Sequence, residues 1–269
     1  MKLHHYKPDE KTINFGDELN TSIWRHYLPN IFNGSDASVF FGIGTILRAA
    51  KKHYPNSKIL IFGSGAHSNE QTMEKNFDVK FVRGPLTAKA LGLPENKAIT
   101  DPAIVTPLVF PLPLKEKKFS FSYMPHYSVA NTKYEAICKK LGIQYIDPRD
   151  PVTKVLAQIN ATDVLLSEAM HGAIVADAYR IPWVPVHSYK SFNEFKWNDW
   201  AASLKIKIAF NKIPRLYESD KGIKWMAKKI VTALKLRVIM KKTPYLSEED
   251  IFRKAQSDIL KQVEAFKRE

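Results

Sequence analysis

Short apolar runs alternate along the chain with stretches in which apolar residues recur every three or four positions. The runs SVFF (38–41), KILIF (58–62), VKFV (79–82), FSFSY (119–123), IQYI (143–146), DVLLS (163–167) and WVPVH (183–187) have strand length and are rich in β-branched and aromatic residues. Between them, DELNTSIWRHYL (17–28), GTILRAAKKHY (44–54), GPLTAKALG (84–92), NTKYEAICKKLG (131–142), PVTKVLAQI (151–159) and HGAIVADAY (171–179) show helical spacing. Strands that alternate with helices predict an α/β protein with parallel, doubly wound sheets. Pro85 after Gly84 suits a helix first turn, and Gly92 and Gly142 suit helix ends.

The periodicity fails in TPLVFPLPLKEKK (106–118), which is proline-rich and then charged. It reads as a linker between two Rossmann-like domains, 1–110 and 111–219, with a ligand cleft between them. Residues 220–269 read as C-terminal helices, the last opening near Ser247 with Glu249 and Asp250 in its first turn. The stretch from Gly222 to Lys242 is basic and apolar. As a helix it gathers Ile223, Met226, Ile230, Val231, Leu234 and Val238 on one side. That pattern predicts a core-facing helix, with contact to an anionic membrane surface as the second reading.

Composition narrows the class. With 269 residues and 45% hydrophobic positions the chain can bury a sizeable core. No apolar run is long enough to span a bilayer and MKLHHYKPDEKT lacks a leader's apolar segment, so a cytoplasmic protein is expected. The single cysteine, Cys138, lies in a helical pattern and reads as a packed core thiol, which excludes internal disulfides and cysteine-based zinc sites. The net charge of +14 asks for an acidic partner. The lysines are densest near the C-terminus and no nucleic-acid-binding signature occurs, so no nucleic acid is expected as partner.

In doubly wound sheets ligands bind beyond the carboxyl ends of the strands, where the next helix presents free N–H groups. Those corners hold the candidate chemistry. GIGTIL follows SVFF with Gly44 and Thr45, and GSGAHS follows KILIF with Gly65. Both turns allow close backbone approach to a ligand, but neither completes a dinucleotide fingerprint or a P-loop. Arg83 follows VKFV, where it can bind a carboxylate or phosphate. In the second half His126, Arg149, Glu168 with His171, and His187 follow four strands. Glu168 beside His171 at a helix start is a setting for a general acid or base. No residue spacing suggests a metal, and there is no nucleophile elbow.

With these residues in view, the chain resembles the polysaccharide pyruvyl transferase family, and within it the succinoglycan-type exopolysaccharide subgroup. The resemblance runs from about Asn14 to Leu204. It rests on NFGDELN (14–20), FGIGTIL, FGSGA, VRGPLTA, TDPA and YMPH, and most specifically on LLSEAMHGAIVADAYRIPWV and FNEFKWNDW. It implies a GT-B-like fold of two Rossmann-like domains, with donor bound by the second and acceptor by the first. It also implies transfer of a pyruvate unit from phosphoenolpyruvate to two sugar hydroxyls as a cyclic ketal, with release of phosphate and no cofactor. Donor contacts then fall to Arg83, His126, Arg149, His171, the Gly172 helix end and His187. Acceptor contacts fall to Asn14, Gly16, Asp17, Gly44, Thr45 and Gly65, and catalysis to His171, Glu168 and Asp17. Asp17 reads equally as a helix cap. Many family members carry arginine two residues before the corner histidine; here Ala169 stands there. The acceptor is expected to be a saccharide, lipid-linked in one version of the reading, which would bring the enzyme to the inner face of the cytoplasmic membrane. The rival readings are a GT-B glycosyltransferase using a nucleotide sugar and a non-catalytic anion- or sugar-binding protein.

Overall fold

The computed structural model describes residues 1–6, 12–113 and 116–269. All seven apolar runs form strands, and all strand pairs within the two sheets are parallel. The first sheet holds β1 (Lys2–His4), β2 (Ser38–Phe41), β3 (Lys58–Phe62) and β4 (Phe77–Phe81), in that order. The second holds β5 (Phe119–Met124), β6 (Gln144–Tyr145), β7 (Thr162–Ser167), β8 (Trp183–His187) and β9 (Asn211–Lys212), ordered β6-β5-β7-β8-β9. The short outer strands β1 and β9 have three and two residues and left no periodic signal in the sequence. The helices are α1 (Phe15–Tyr27), α2 (Leu47–His53), α3 (Pro85–Ala90), α4 (Thr106–Val109), α5 (Thr132–Leu141), α6 (Val152–Asn160), α7 (Met170–Ala178), α8 (Glu194–Ser203), α9 (Gly222–Ile239) and α10 (Glu249–Lys267). Gly92 and Gly142 end α3 and α5 in left-handed conformations at φ 64° and 69°, which only glycine adopts at little cost.

Alternation along each strand sorts its side chains onto two faces. Phe40, Leu60 and Phe62 point to a core they share with α1, while Val39, Phe41, Ile59 and Ile61 point to a separate cluster with α2 and α3. In the second sheet Leu165 and Trp183 join the first core, and Tyr123, Leu166, Val184 and Val186 pack against α5 and α9. Cys138 lies in this last cluster, and burial pushes its thiol up to about 12, as a core residue requires.

One core therefore runs between the sheets, and three helices carry it across. α1 packs on α4, α6 and α7, and Phe15 N–H donates to Pro148 O at 3.0 Å. α8 lies between β8 and β9 of the second sheet in the chain but packs on α3 of the first half. α10 returns to the first sheet, where Phe266 meets Phe62 at 5.7 Å and Gln256 donates to Ile104 O.

Three expectations are corrected. The stretch 106–118 is not simply a linker: Thr106–Val109 is a helical turn with Thr106 buried, and Tyr179 Oη donates to Phe110 O at 2.6 Å (Leu114 and Lys115 lie outside the described residues). Ser247 does not cap α10. The helix starts at Glu249, and Ser247 is buried against Asp177 and Arg180. The apolar side of α9 does not face the core. Ile223, Met226, Ile230, Val231, Leu234 and Val238 are all exposed, and the helix buries Thr232, Leu236 and Ile239 instead.

Candidate active site

The carboxyl ends of both parallel sheets open into one pocket of about 630 Å³. The first half contributes His4 at the end of β1 and His5 after it, Gly44 and Thr45 after β2, His67 after β3, and Arg48, Lys52 and His53 from α2. The second half contributes His126 after β5, Pro148 after β6, and Ala169, Met170 and His171 at the start of α7. Asn14, Gly16 and Asp17 reach it from the first turn of α1, and Lys196 from α8. Six of the chain's eight histidines line this pocket, and Asp17 is the one carboxylate among the described lining residues. Cationic side chains thus outnumber carboxylates among the described lining residues.

Asp17 is buried, and Asn14 Nδ2 donates to its carboxylate. It caps nothing: the helix begins at Phe15 with no side-chain cap. Burial pushes its pKa up to about 7, against the pull of His171 and Lys196. Lys196, half-buried in the pocket lining, is pushed down to about 8 by burial and then by Arg83, with Asp17 opposing. An acid and a cation thus both titrate near neutrality within one pocket, a combination typical of catalytic sites.

His171 sits in the first turn of α7. Its Nε2 lies 3.6 Å from Oδ2 of Asp101, a buried carboxylate whose other oxygen accepts from Ala103 N–H at 3.0 Å. Neither of the two facing atoms makes a hydrogen bond among the described residues. The imidazole also presses on the backbone of α1. A Cβ built on Gly16 would lie 1.9 Å from His171 Nδ1, so only glycine fits at that position.

Glu168, expected beside His171, does other work. It is fully buried and accepts from Tyr123 Oη at 3.0 Å and from the backbone N–H groups of His126 and Ser188. Burial raises its pKa, and these donors restrain the rise. It ties together the corners after β5, β7 and β8, while Asp101 is the carboxylate that faces His171.

Arg83 is likewise not presented to the pocket. Its guanidinium is fully buried, donates to Asp199 Oδ2 at 2.9 Å, Thr45 Oγ1 at 2.7 Å and Ala66 O at 3.0 Å, and so holds the pocket wall at Thr45. Asp199 also accepts from Thr87 N–H and Oγ1, which locks α8 to α3. Gly65 is glycine because the guanidinium lies against it, 2.0 Å from where a Cβ would stand.

Arg149 pairs bidentately with Asp147 at 2.9 and 2.6 Å, and His187 stacks on Phe192 at 4.6 Å; neither lines the pocket. Gly172 packs against Met124 and Ser167 at the start of α7, just behind His171. His126 does line the pocket. Its ring lies on Tyr189 and bonds Ser128, and burial holds it down to about 3, so it serves there as a neutral imidazole.

The sequence therefore located Asn14, Gly16, Asp17, Gly44, Thr45, His126 and His171 in the pocket. It missed Lys196, Arg48, Lys52, and histidines 4, 5, 53 and 67 as lining residues, and Asp101 as the partner of His171. Lys196 and Asp101 do fall inside the blocks FNEFKWNDW and TDPA, but nothing in their spacing marks them as facing a ligand. Among the described residues no cluster of three or more His, Cys, Asp or Glu side chains is arranged to hold a metal ion.

Known proteins match the same region. The family model of polysaccharide pyruvyl transferase matches residues 3–189, which include every pocket residue except Lys196. The succinoglycan biosynthesis protein ExoV of Rhizobium meliloti (strain 1021) is 35% identical over 215 residues, covering 78% of this chain and 68% of that protein. The corner histidine and every described pocket residue but Lys196 thus lie within the matched region, and the chain belongs to the polysaccharide pyruvyl transferase family, with a relative of the succinoglycan type.

Proposed function

We propose that the protein transfers a pyruvate unit from phosphoenolpyruvate to two hydroxyls of a saccharide in exopolysaccharide biosynthesis, forming a cyclic ketal and releasing phosphate. The observation that carries this reading is the pocket's charge. Among the described residues three cations and six histidines surround a single carboxylate, a setting suited to a small donor bearing both a carboxylate and a phosphate. The arrangement of two Rossmann-like units around a shared cleft supports a GT-B-like enzyme in which donor and acceptor meet within that cleft.

In this reading Lys196, with Arg48 and Lys52, neutralises the donor anions. Ala169 lines the pocket where many family members carry arginine, and Lys196 brings a cation from α8. His171, positioned by Asp101, protonates the methylene carbon of the donor, so that positive charge develops on the neighbouring carbon. One acceptor hydroxyl adds to that carbon, the C–O bond to phosphate breaks, and the second hydroxyl closes the ring. Of the two protons the hydroxyls lose, one balances the proton gained by the methylene carbon and the other leaves with phosphate. Asp17 accepts a hydroxyl proton, which its pKa of about 7 allows at neutral pH. Asn14, Gly44 and Thr45 face the acceptor, and proximity within the pocket supplies much of the remaining rate.

The test is phosphate release from phosphoenolpyruvate with a panel of galactosides, glucosides and mannosides, and mass analysis of the sugar. Acceptor-dependent release with a mass gain matching a pyruvate ketal is the expected result. Full transfer by His171→Ala would remove that residue's role. Binding of a nucleotide sugar with none of phosphoenolpyruvate would overturn the donor assignment.

A further inference from the structure

Helix α9 carries a surface that the pocket does not explain. Ile223, Met226, Ile230, Leu234 and Val238, three and four residues apart, form one stripe, and Val231 widens it. They are 86%, 60%, 57%, 54%, 61% and, for Val231, 42% exposed. The opposite side of the helix is fastened to the protein by Leu236, Ile239 and Trp225. From Lys221 through Lys242 the chain has eight Lys and Arg residues, five of them on the helix, and no Asp or Glu. The basic character continues onto α5, where Lys133 lies over the Trp225 ring and Lys140 sits beside Lys229. No helix among the described residues is long and apolar enough to cross a membrane.

We propose that α9 docks the protein on the surface of an anionic lipid bilayer. An exposed apolar stripe flanked by cations fits the boundary between acyl chains and acidic headgroups: the apolar side chains enter, and the long lysine stems keep their ammonium groups among the phosphates. An 18-residue helix presents about 27 Å of such surface lying in the membrane plane. Charge selects this occupant over a second copy of the chain. Two α9 faces packed on each other would bring two sets of five cations together with no acid on either helix, a like-charge contact that disfavours pairing. The inference is independent of the chemistry in the pocket and stands or falls separately from it.

Flotation of the full chain with phosphatidylcholine vesicles, with and without about one third phosphatidylglycerol, tests it. Wild type is expected to float with the anionic vesicles only and to be released by high salt. Met226→Ser/Ile230→Ser/Leu234→Ser changes only exposed side chains and is expected to lower the partition coefficient at least about tenfold, as is Lys224→Glu/Lys235→Glu. Circular dichroism and phosphate release by the purified variants, both unchanged, would show that fold and pocket are intact. Equal binding to neutral vesicles, no flotation, or unaltered flotation of the serine variant would each overturn the proposal. So would a wild-type dimer that the serine variant converts to monomer, because a second copy would then cover the stripe.

Discussion

Gly16 and His171 touch so closely that a methyl group on the glycine would stand 1.9 Å from the imidazole Nδ1. The first turn of α1 and the first turn of α7 are thereby held in register, one from each half of the molecule. Gly16→Ala forces the imidazole away from Asp101. Because displacement of a catalytic group by about 1 Å can cost on the order of a hundredfold, kcat should fall by about that factor. Steady-state kinetics together with a thermal melt check this, and wild-type kcat in Gly16→Ala would mean that the placement of His171 does not matter.

Asp101 should act through His171 and not on the substrate. Asp101→Asn keeps the shape and the bond from Ala103 but removes the charge that faces Nε2. The expected outcome is a kcat lowered about tenfold to a hundredfold with little change in the KM for phosphoenolpyruvate. A rise in KM alone would place Asp101 in donor binding.

Asp17 links stability to pH. Its native pKa of about 7 lies above its unfolded value of 3.8, so between about pH 4 and pH 7 the native state holds a proton that the unfolded chain has lost. This group's contribution to stability therefore falls as pH rises through that window, by an amount on the order of a few kcal/mol, and levels off above it. Asp17→Asn should abolish transfer yet be more stable than wild type at about pH 8, as measured by urea unfolding. An inactive variant that is also less stable at that pH would contradict the buried-carboxylate argument.

Lys196 and Asp17 should set the pH profile together. A rate requiring ionised Asp17 and charged Lys196 rises through about pH 7 and falls above about pH 8, giving a narrow bell in kcat/KM. Lys196→Met should lose the alkaline limb and weaken phosphoenolpyruvate binding about tenfold to a hundredfold, the range for loss of a charged contact. Titration calorimetry with phosphoenolpyruvate alone measures the binding without the chemistry, and unchanged affinity would take Lys196 out of the donor site.

Breaking the buried Arg83–Asp199 pair should cost stability before anything else. Asp199→Ala strands a guanidinium with no access to solvent and frees Thr87, with an expected loss of about 3–5 kcal/mol in denaturant unfolding. A loss below about 1 kcal/mol would show that the pair is dispensable for joining α8 to α3.

The apolar periodicity of this chain determined seven of the nine strands among the described residues, most of its helices and the parallel α/β class. Side-chain period is a local property of each element, so the pattern is written in adjacent residues. The same logic placed His126 and His171 at strand ends, and both line the pocket. What the period cannot encode is the neighbour. Arg83 looks in sequence like an anion ligand; only folding brings Asp199, 116 positions later, against it and closes it off. Glu168 is three residues from His171 in the chain, yet its oxygens turn to Tyr123 and Ser188, and Asp101, from the other half, faces the imidazole instead. In α9 the sequence specified the apolar stripe but not which side of the helix meets the protein. Packing against α5 chose Leu236 and Ile239, and that choice left the longer stripe in solvent. Local spacing decides what an element is, and long-range packing decides which of its groups remain free to act.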